Sequence, residues 1–163
     1  MPDKILVCSD THGHIDTIAT EIMTTPGLTR IIHLGDHARD AEELEAIVGR
    51  TILKVKGNND FISYNIPYDG VLPLSGGHKA YLTHGHLFGV YYGLDKLAAY
   101  AKSLDCDLAF FGHTHAFDDQ VVDGVRLINP GSCAWPRGGD GQKSYVILTL
   151  DDEGRIGVER MIL

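Results

Sequence analysis

The chain has 163 residues, of which 44% are hydrophobic and 22% charged, and this size and composition predict one domain, 1–163, that buries its own core. Its formal net charge is −8 with no cluster of lysine and arginine, which argues against binding to extended nucleic acid. No apolar run is long enough to cross a bilayer, so no membrane association is expected, and the short run at 5–8 is interpreted as a strand.

Three cysteines, Cys8, Cys106 and Cys133, lie far apart in the sequence and form no Cys-x-x-Cys spacing. An odd and scattered set of this kind indicates free thiols, not a disulfide framework or a zinc knuckle. We therefore expect the protein to reside in a reducing compartment, the cytoplasm.

The first third of the chain alternates predicted strands with predicted helices. Strands are expected at 4–8, 30–34 and 51–56, and helices at 15–24 and 38–48. This βαβαβ order favours a mostly parallel sheet that is covered by helices.

The remainder of the chain is rich in hairpin signals, at Ser75-Gly76-Gly77, Asp123-Gly124 and 151–154. The strands around the last two turns are expected at 120–122, 125–128, 145–150 and 156–163, with a helix at 94–103 and a buried strand at 108–111. These signals predict an antiparallel second half that packs face to face on the first, with the helices outside.

Polar side chains follow five expected strands at the point where each strand ends: 4–8, 30–34, 51–56, 108–111 and the strand after the Ser75-Gly76-Gly77 turn, which ends at Thr83. These side chains are Asp10 with His12, Asp36, Asn58, His84 with His86, and His113 with His115. Ligand sites in α/β sheets lie outside the carboxyl ends of the strands, so one edge of the molecule is expected to collect all five segments. Imidazole, carboxylate and amide donors without thiolate suit divalent manganese, iron, cobalt, nickel or zinc.

Each of these motifs alone has a structural explanation. Asp-x-His can be a turn, and Gly57-Asn58-Asn59-Asp60 can be only a loop. Their joint occurrence after five strands favours a metal site. Among the other histidines, His33 is expected to be a hydrogen-bonded core residue and His78 a solvated turn residue, while His14 and His37 adjoin the site and can contact substrate.

Taken in order, Asp-x-His, Gly-Asp, Gly-Asn, His-Gly-His and Gly-His-x-His resemble the calcineurin-like metallophosphoesterase superfamily, in particular its small single-domain bacterial and archaeal phosphodiesterases. The stretch Ile128-Asn129-Pro130-Gly131-Ser132 follows these motifs as in that branch. The resemblance implies an α/β fold, a four-layer αββα sandwich of two mixed β-sheets flanked by helices. It also implies two metal sites that share Asp36, one with Asp10, His12 and His115 and the other with Asn58, His84 and His113.

The resemblance implies that the protein is a phosphoesterase that depends on two metal ions, and a phosphodiesterase is favoured over a monoesterase. In the implied reaction a metal-bound hydroxide attacks a small phosphate ester. Mn²⁺ is the favoured ion, with Ni²⁺, Fe²⁺, Co²⁺ and Zn²⁺ as alternatives. In many members of the superfamily a histidine follows the Gly-Asn ligand and protonates the leaving group, but this chain has Asn59 there. His86 is the candidate general acid in its place, with water as the alternative.

The rival interpretation is a non-catalytic, metal-binding scaffold for protein interaction, because a retromer subunit shares the implied fold. That relative departs from the Asp-x-His pattern, which this chain keeps. The apolar stretch Leu87, Phe88, Tyr91 and Tyr92 is interpreted as core or a subunit contact in preference to a wall for substrate, and self-association stays open. Arg137 either reaches a phosphate from its loop or is solvated.

Overall fold

Ten strands and three α-helices form the architecture in a computed structural model that describes residues 2–61 and 65–163. In chain order the strands are β1 Asp3–Cys8, β2 Arg30–His33, β3 Leu53–Lys54, β4 Asp69–Pro73, β5 Lys79–Thr83, β6 Leu108–Phe110, β7 Phe117–Val122, β8 Val125–Pro130, β9 Ser144–Leu150 and β10 Ile156–Ile162. The helices are α1 Asp16–Thr24, α2 Ala38–Val48 and α3 Asp95–Ser103, and single 3₁₀ turns lie at Ser75–Gly77 and His86–Phe88.

The strands form two mixed sheets of five. In the first, with the order β10-β9-β1-β2-β3, β1 and β2 are parallel, as are β2 and β3, while β9 is antiparallel to both β1 and β10. In the second, with the order β4-β5-β6-β8-β7, β5, β6 and β8 are parallel and the two edge strands are antiparallel to their neighbours. The predicted fold class, with two mixed sheets and flanking helices, is confirmed.

Alternation along the central strands separates three apolar layers. In β1, Ile5 and Val7 belong to the core between the two sheets, together with Phe110 of β6, whereas Leu6 and Cys8 point to the opposite face. That opposite face packs against α1 and α2, and the outer face of the second sheet packs against α3. Period-2 burial on each strand thus produces the four-layer αββα arrangement.

Each helix buries one face against its sheet. In α1 the buried residues are Ile18, Ala19 and Ile22, at the i, i+1, i+4 spacing of a helical stripe. Within residues 2–61 and 65–163, no helix combines the length and the apolar character that crossing a membrane requires.

Several expectations about the strands were wrong. The second half is not wholly antiparallel, because β8 inserts beside β6 in parallel register, with Phe110 opposite Ile128. The C-terminal hairpin joins the first sheet, where β9 pairs with β1. Turn signals specify which neighbours form a hairpin, but they carry no information about the sheet that the hairpin joins. The strand expected at 51–56 is reduced to two ladder residues, since Lys56 already bonds to Pro67.

The solvated role expected for His78 was also wrong. Its Nδ1 lies 2.5 Å from Asp107 Oδ2, and its Nε2 lies 2.7 Å from the carbonyl oxygen of Gly154. Both partners accept hydrogen bonds, so both ring nitrogens donate and the imidazole is protonated. The bond to Gly154 and the carboxylate of Asp107 raise the pKa of His78, which ties the turn before β5 to the turn between β9 and β10.

This contact predicts a pH-dependent contribution to stability. Because the pKa of His78 is raised above its ordinary 6.5, its contribution is complete below that pH and is lost as the pH rises through the higher folded-state pKa. The pKa of Asp107 is lowered, against burial, by the bonds from Lys79 and His78, so its contribution is lost only as the pH falls below 3.8. We expect His78→Gln to cost about 0.5 kcal/mol at pH 5.5 and less at pH 8.5, since the pair is partly screened by solvent.

Urea unfolding at the two pH values measures this difference, with the exposed His14→Gln variant as the control. An equal loss of stability at pH 5.5 and pH 8.5 in His78→Gln contradicts the protonated state.

Candidate metal centre

The predicted ligand segments meet at one rim of the two sheets, where β1, β2, β5 and β6 end. Asp10, His12, Asp36 and His115 each place one potential ligand atom within 4.8 Å of all the others. These four residues are the set that the resemblance assigns to the first metal. They come from three loops that are far apart in the sequence.

Two carboxylates are buried side by side in this cluster. Asp10 is 0% exposed and Asp36 is 2% exposed. Asp10 Oδ2 accepts bonds from Ser9 Oγ at 2.6 Å and from the backbone N–H of His113 at 3.2 Å. Burial opposes ionisation of Asp10, but nearby His115 and His84 outweigh it and hold its pKa below the ordinary value. Two buried anions therefore require compensating positive charge at this point.

Asp36 accepts hydrogen bonds from Asn59, which stands where the resemblance expects a histidine. The backbone N–H and the side-chain amide of Asn59 donate to Asp36 Oδ1 and Oδ2 at 3.1 and 2.7 Å. Asn59 thus orients the carboxylate that the resemblance expects to bridge two ions. Each carboxylate oxygen keeps a second lone pair for an ion.

Two histidines direct their Nε2 atoms at these carboxylates because their Nδ1 atoms bond to backbone carbonyls. His84 Nδ1 donates to the carbonyl oxygen of Leu34 at 2.8 Å, and His115 Nδ1 donates to that of Trp135 at 2.6 Å. Because a carbonyl can only accept, the Nε2 atom of each neutral ring carries a lone pair. Backbone carbonyls fix metal-binding histidines in this way in many proteins.

These Nε2 atoms face carboxylate oxygens at short distance. His115 Nε2 lies 3.2 Å from Asp10 Oδ1, and His84 Nε2 lies 3.5 Å from Asp36 Oδ1 and 3.8 Å from Asp10 Oδ1. Among the described residues, Asp10 Oδ1 and His84 Nε2 are buried without a hydrogen-bond partner. Facing acceptors repel one another unless a cation or a proton lies between them, so the donor set fits a divalent metal.

When no ion is bound, a proton on the imidazole can take the place of the cation between a ring and a carboxylate. The raised pKa of His115 reflects this. Burial lowers the pKa of this ring, but contact with Asp10 outweighs burial and leaves the pKa above its ordinary value. At His12 and His113, burial instead keeps the pKa below its ordinary value, and these rings are therefore neutral at pH 7. Neutral imidazole is the form that binds metals.

The set assigned to the second metal is less tightly gathered. The rings of His84 and His113 are 5.1 Å apart, and His84 contacts the shared Asp36. Asn58 is exposed and lies in the loop that follows β3, next to Asn59. His86 follows in a 3₁₀ turn, with its ring 5.5 Å from that of His84, and its buried Nδ1 has no hydrogen-bond partner among residues 2–61 and 65–163.

Backbone strain is concentrated at the ligand loops. Positive φ angles occur at Asp10 (54°), His12 (45°), Asp36 (51°), His113 (73°) and His115 (62°). Non-glycine residues rarely adopt this left-handed region, and where they do, the strain usually accompanies function. Five of the seven predicted ligands share it.

Two glycines let these loops approach one another. A Cβ atom on Gly57 would overlap Asp36 Oδ1, and one on Gly112 would overlap Ser9 Oγ and lie 2.8 Å from Asp10 Oδ2. Glycine is therefore required beside both carboxylates.

A buried network beneath the first ligand loop was not found from the sequence. Asp40 Oδ2 accepts bonds from Thr11 Oγ1 at 2.6 Å and from the backbone N–H of Gly13 at 2.7 Å. Because the Thr11 hydroxyl donates to Asp40, His33 Nε2 must donate to Thr11 Oγ1, 2.9 Å away, and its Nδ1 accepts from the Gly35 N–H. His33 is thus a hydrogen-bonded core histidine, as expected, and burial lowers its pKa to about 4.

Three further residues hold the other ligand loops and were likewise missed as positioning residues. Asp60 accepts bonds from the N–H groups of Ala38 and Gly57. Asn129 donates to the carbonyl oxygen of Gly112 and to Thr114 Oγ1. Ser132 donates to the Asp10 carbonyl at 2.8 Å. In the sequence Asp60 resembles a turn residue, and only the family resemblance drew attention to 128–132.

The rim carries more exposed aromatic surface than expected. Leu87 is 66% exposed, Tyr91 52% and Tyr92 97%, so these three are not core residues and the subunit-contact alternative stays a prediction for them, while Phe88 packs against the apolar layer beneath α3. Trp135 stacks on the His12 ring, with the centroids 4.5 Å apart.

Two other histidines adjoin this rim. The ring of His37 lies 5.0 Å from that of His12, and the ring of His14 lies 6.0 Å from that of Trp135. Both are exposed.

The sequence of the chain is similar to those of known proteins. Residues 4–153 match the family described as the calcineurin-like phosphoesterase superfamily domain. The chain is 35% identical to a protein of Bacillus subtilis named as a probable metallophosphoesterase, over 92% of this chain and 86% of that one. It is 32% identical to a phosphodiesterase of Methanocaldococcus jannaschii, over 80% and 84% of the two chains.

Solved structures show the same fold. A protein of Streptococcus pneumoniae described as a predicted phosphoesterase superposes with a TM-score of 0.77 at 26% identity, over 100% of this chain and 99% of that one. Zinc-bound Vps29 of Entamoeba histolytica superposes with a TM-score of 0.77 at 23% identity, over 98% of each chain. At that identity the second likeness shows the fold alone.

The network beneath the first ligand loop predicts a cost when its central hydroxyl is removed. Thr11→Val keeps the side-chain shape but leaves His33 Nε2 and a buried carboxylate oxygen of Asp40 short of a partner. We expect a loss of about 1–3 kcal/mol in the free energy of unfolding, measured by urea denaturation. Thr149→Val, at an exposed position of β9, is the matched control and should change stability by less than about 0.5 kcal/mol.

Proposed function

The chain belongs to the calcineurin-like phosphoesterase superfamily, and we propose that it is a phosphodiesterase that holds two divalent metal ions and hydrolyses a small phosphate ester. One observation carries this proposal. Two buried carboxylates, Asp10 and Asp36, are faced by imidazole nitrogens whose protons are directed away to backbone carbonyls. Such a cluster is poorly stable as an empty structural element and well suited to cations.

Seven residues are proposed to hold the ions. Asp10, His12 and His115 bind the first ion, His84, His113 and Asn58 bind the second, and Asp36 is shared. The nitrogen and oxygen donors without thiolate exclude a soft ion but do not select among Mn²⁺, Fe²⁺, Co²⁺, Ni²⁺ and Zn²⁺, and we keep Mn²⁺ as the ion to test first. When bound, the ions would supply Lewis-acid stabilisation of the phosphoryl oxygens and activate a water molecule as the nucleophile.

The side chains of the protein position these groups. His84 and His115 are locked by their bonds to Leu34 and Trp135, and Asn59 fixes both oxygens of Asp36. Fixed donors need no reorganisation during the reaction, which is the main source of electrostatic catalysis. The strained loops at Asp10, Asp36 and His113 serve the same purpose.

His86 is proposed as the group that assists the leaving oxygen. It lies half-buried beside His84 and His113, and its Nδ1 has no partner in the part of the chain that the structure describes. Burial lowers the pKa of His86, so the ring is neutral at pH 7 and acts through its single N–H. Asn59 is engaged by Asp36 and is not available for this role.

A diester is the proposed substrate class. A relative named as a phosphodiesterase covers most of the chain, and the singly charged diester meets less repulsion than a dianionic monoester from a protein of net charge −8. Cysteines 8, 106 and 133 are all free and buried, which supports the proposed cytoplasmic location.

A second candidate is a metal-binding scaffold for another protein, favoured by the exposed apolar side chains of Leu87 and Tyr92. The two candidates differ in one measurement. A scaffold loaded with two Mn²⁺ ions should leave bis(p-nitrophenyl) phosphate intact, whereas the enzyme should hydrolyse it and lose activity with a chelator.

Removing the shared carboxylate should abolish activity without unfolding the protein. We expect Asp36→Asn to lower Mn²⁺-dependent hydrolysis by about 10³-fold or more, because charge stabilisation at the reacting phosphate depends on both ions. The metal-free variant should be at least as stable as wild type, since one of two neighbouring buried charges is gone.

Asp105→Asn is the matched control for this change, because Asp105 is exposed and its φ of 58° suits asparagine. It should retain wild-type activity. Hydrolysis is followed with p-nitrophenyl esters, bound metal by calorimetry and stability by urea unfolding. Full activity in metal-loaded Asp36→Asn would refute the shared ligand.

The role of His86 is tested with leaving groups of different basicity. We expect His86→Gln to slow hydrolysis of diesters with basic alkoxide leaving groups by about 10²-fold, while p-nitrophenyl esters change little, because only a basic leaving group needs proton donation. A uniform loss across the series would identify His86 as a residue that binds metal or supports the fold.

A further inference from the structure

Arg137 is held against the 113–115 loop of the candidate metal centre by specific contacts. Its backbone N–H donates to the carbonyl oxygen of His115 at 3.1 Å. Its Nη1 donates to the hydroxyl of Tyr91 at 2.9 Å, and that hydroxyl donates to the carbonyl oxygen of His113 at 3.1 Å. Arg137 is therefore anchored to the backbone of two predicted metal ligands, to His115 through its own backbone and to His113 through its guanidinium and Tyr91.

The remainder of the loop is also fixed. Gly141 N–H bonds to the carbonyl of Gly138, and the Asp140 carboxylate receives two bonds from Arg160, at 2.5 and 3.0 Å. Arg137 thus sits between an anchor at Tyr91 and an anchor at Asp140. Hydrogen bonds at both of these points hold the loop, so the position of Arg137 at the rim is fixed.

Arg137, like Arg39 and Arg50 and unlike the other four arginines, has no carboxylate partner among the described residues. Arg126, Arg155 and Arg160 each pair with an aspartate, but no ion pair within residues 2–61 and 65–163 includes Arg137. Its one side-chain bond, to a neutral hydroxyl, uses a single N–H of the five in the guanidinium. The other donors are exposed at the rim of the site, in a protein that is acidic as a whole.

Tyr91 has a position that suits this task. Its ring packs edge-on against His113, with the centroids 4.9 Å apart, and its hydroxyl is the only link between Arg137 and the 113–115 loop that involves a side chain among the described contacts. A hydroxyl directs the guanidinium without neutralising it. An aspartate at the same place would cancel the charge that an anion needs.

We propose that Arg137 is an anion-binding residue that contacts a non-bridging oxygen of the substrate phosphate and that Tyr91 is its positioning residue. This inference rests on the proposed function, since it concerns the same site. A guanidinium beside the ions adds a charge-assisted hydrogen bond that is made in both the bound substrate and the bound product. Arg137 therefore acts mainly on binding, not on the chemical step.

The test uses Mn²⁺-loaded protein, with inorganic phosphate as the binding probe and bis(p-nitrophenyl) phosphate as the substrate. We expect Arg137→Gln to raise KM and the Kd for phosphate by about tenfold, the size of one lost hydrogen bond to a charged group, with kcat within about threefold. Arg137→Lys should recover part of the loss, because it restores the charge but not the fork of donors. Tyr91→Phe should raise KM by about threefold, since Arg137 remains but is no longer directed.

Arg155→Gln is the matched control. Arg155 lies in the β9–β10 turn, at the far end of the sheets, where it pairs with Asp151 and Glu153. It removes the same charge and should leave KM and phosphate affinity within about twofold of wild type, because exposed pairs of this kind contribute little.

Two results would overturn the inference. One is an Arg137→Gln variant that binds phosphate and substrate as Arg155→Gln does. The other is an Arg137→Gln variant whose Mn²⁺ affinity and thermal stability fall together with phosphate affinity, which would assign Arg137 a purely structural role. Failure of the proposed function looks different: wild type would not hydrolyse the diester, while phosphate affinity would still depend on Arg137.

Discussion

The site depends on one interaction: two buried carboxylates face the Nε2 atoms of two imidazole rings. Asp10 and Asp36 lie almost without solvent, and the Nε2 atoms of His84 and His115 face them because their Nδ1 protons are committed to backbone carbonyls. Neither partner can turn away without breaking a bond to the backbone. The arrangement is thus poised for positive charge and maintained by the fold at a cost to stability.

The fold meets that cost with rigid surroundings. Five of the predicted ligands have left-handed backbone conformations, and Gly57 and Gly112 let neighbouring loops come close to Asp36 and Asp10. The supporting residues, Asp40, Asp60, Asn129 and Ser132, bond to the backbone or the hydroxyl groups of the ligand loops. Strain at the site is balanced by the three apolar layers on either side of the sheets.

The sequence predicted the elements and the ligand segments because both depend on local pattern. Strand alternation, helix spacing and the placement of Asp10, Asp36 and His84 after strands can be read within a few residues. The sheet that receives the C-terminal hairpin, the bond between His78 and Asp107, and the network under Thr11 depend on residues that are distant in the chain. Asp40 looks like any acidic residue in the first turn of a helix, so only its burial reveals its role.

The position of β1 has a consequence for the order in which the molecule can assemble. This strand is the third of five in its sheet, and its register with β9 places Asp3 opposite Leu150. A nascent chain that has not yet exposed residues 144–150 to the cell therefore leaves one side of β1 with unpaired N–H and C=O groups, a surface that favours pairing with other chains. Closure of this long loop makes folding slow compared with that of a helical bundle. Asp10, which directly follows the strand, gains its bonds from His113 and Ser132 only when those distant segments have reached it.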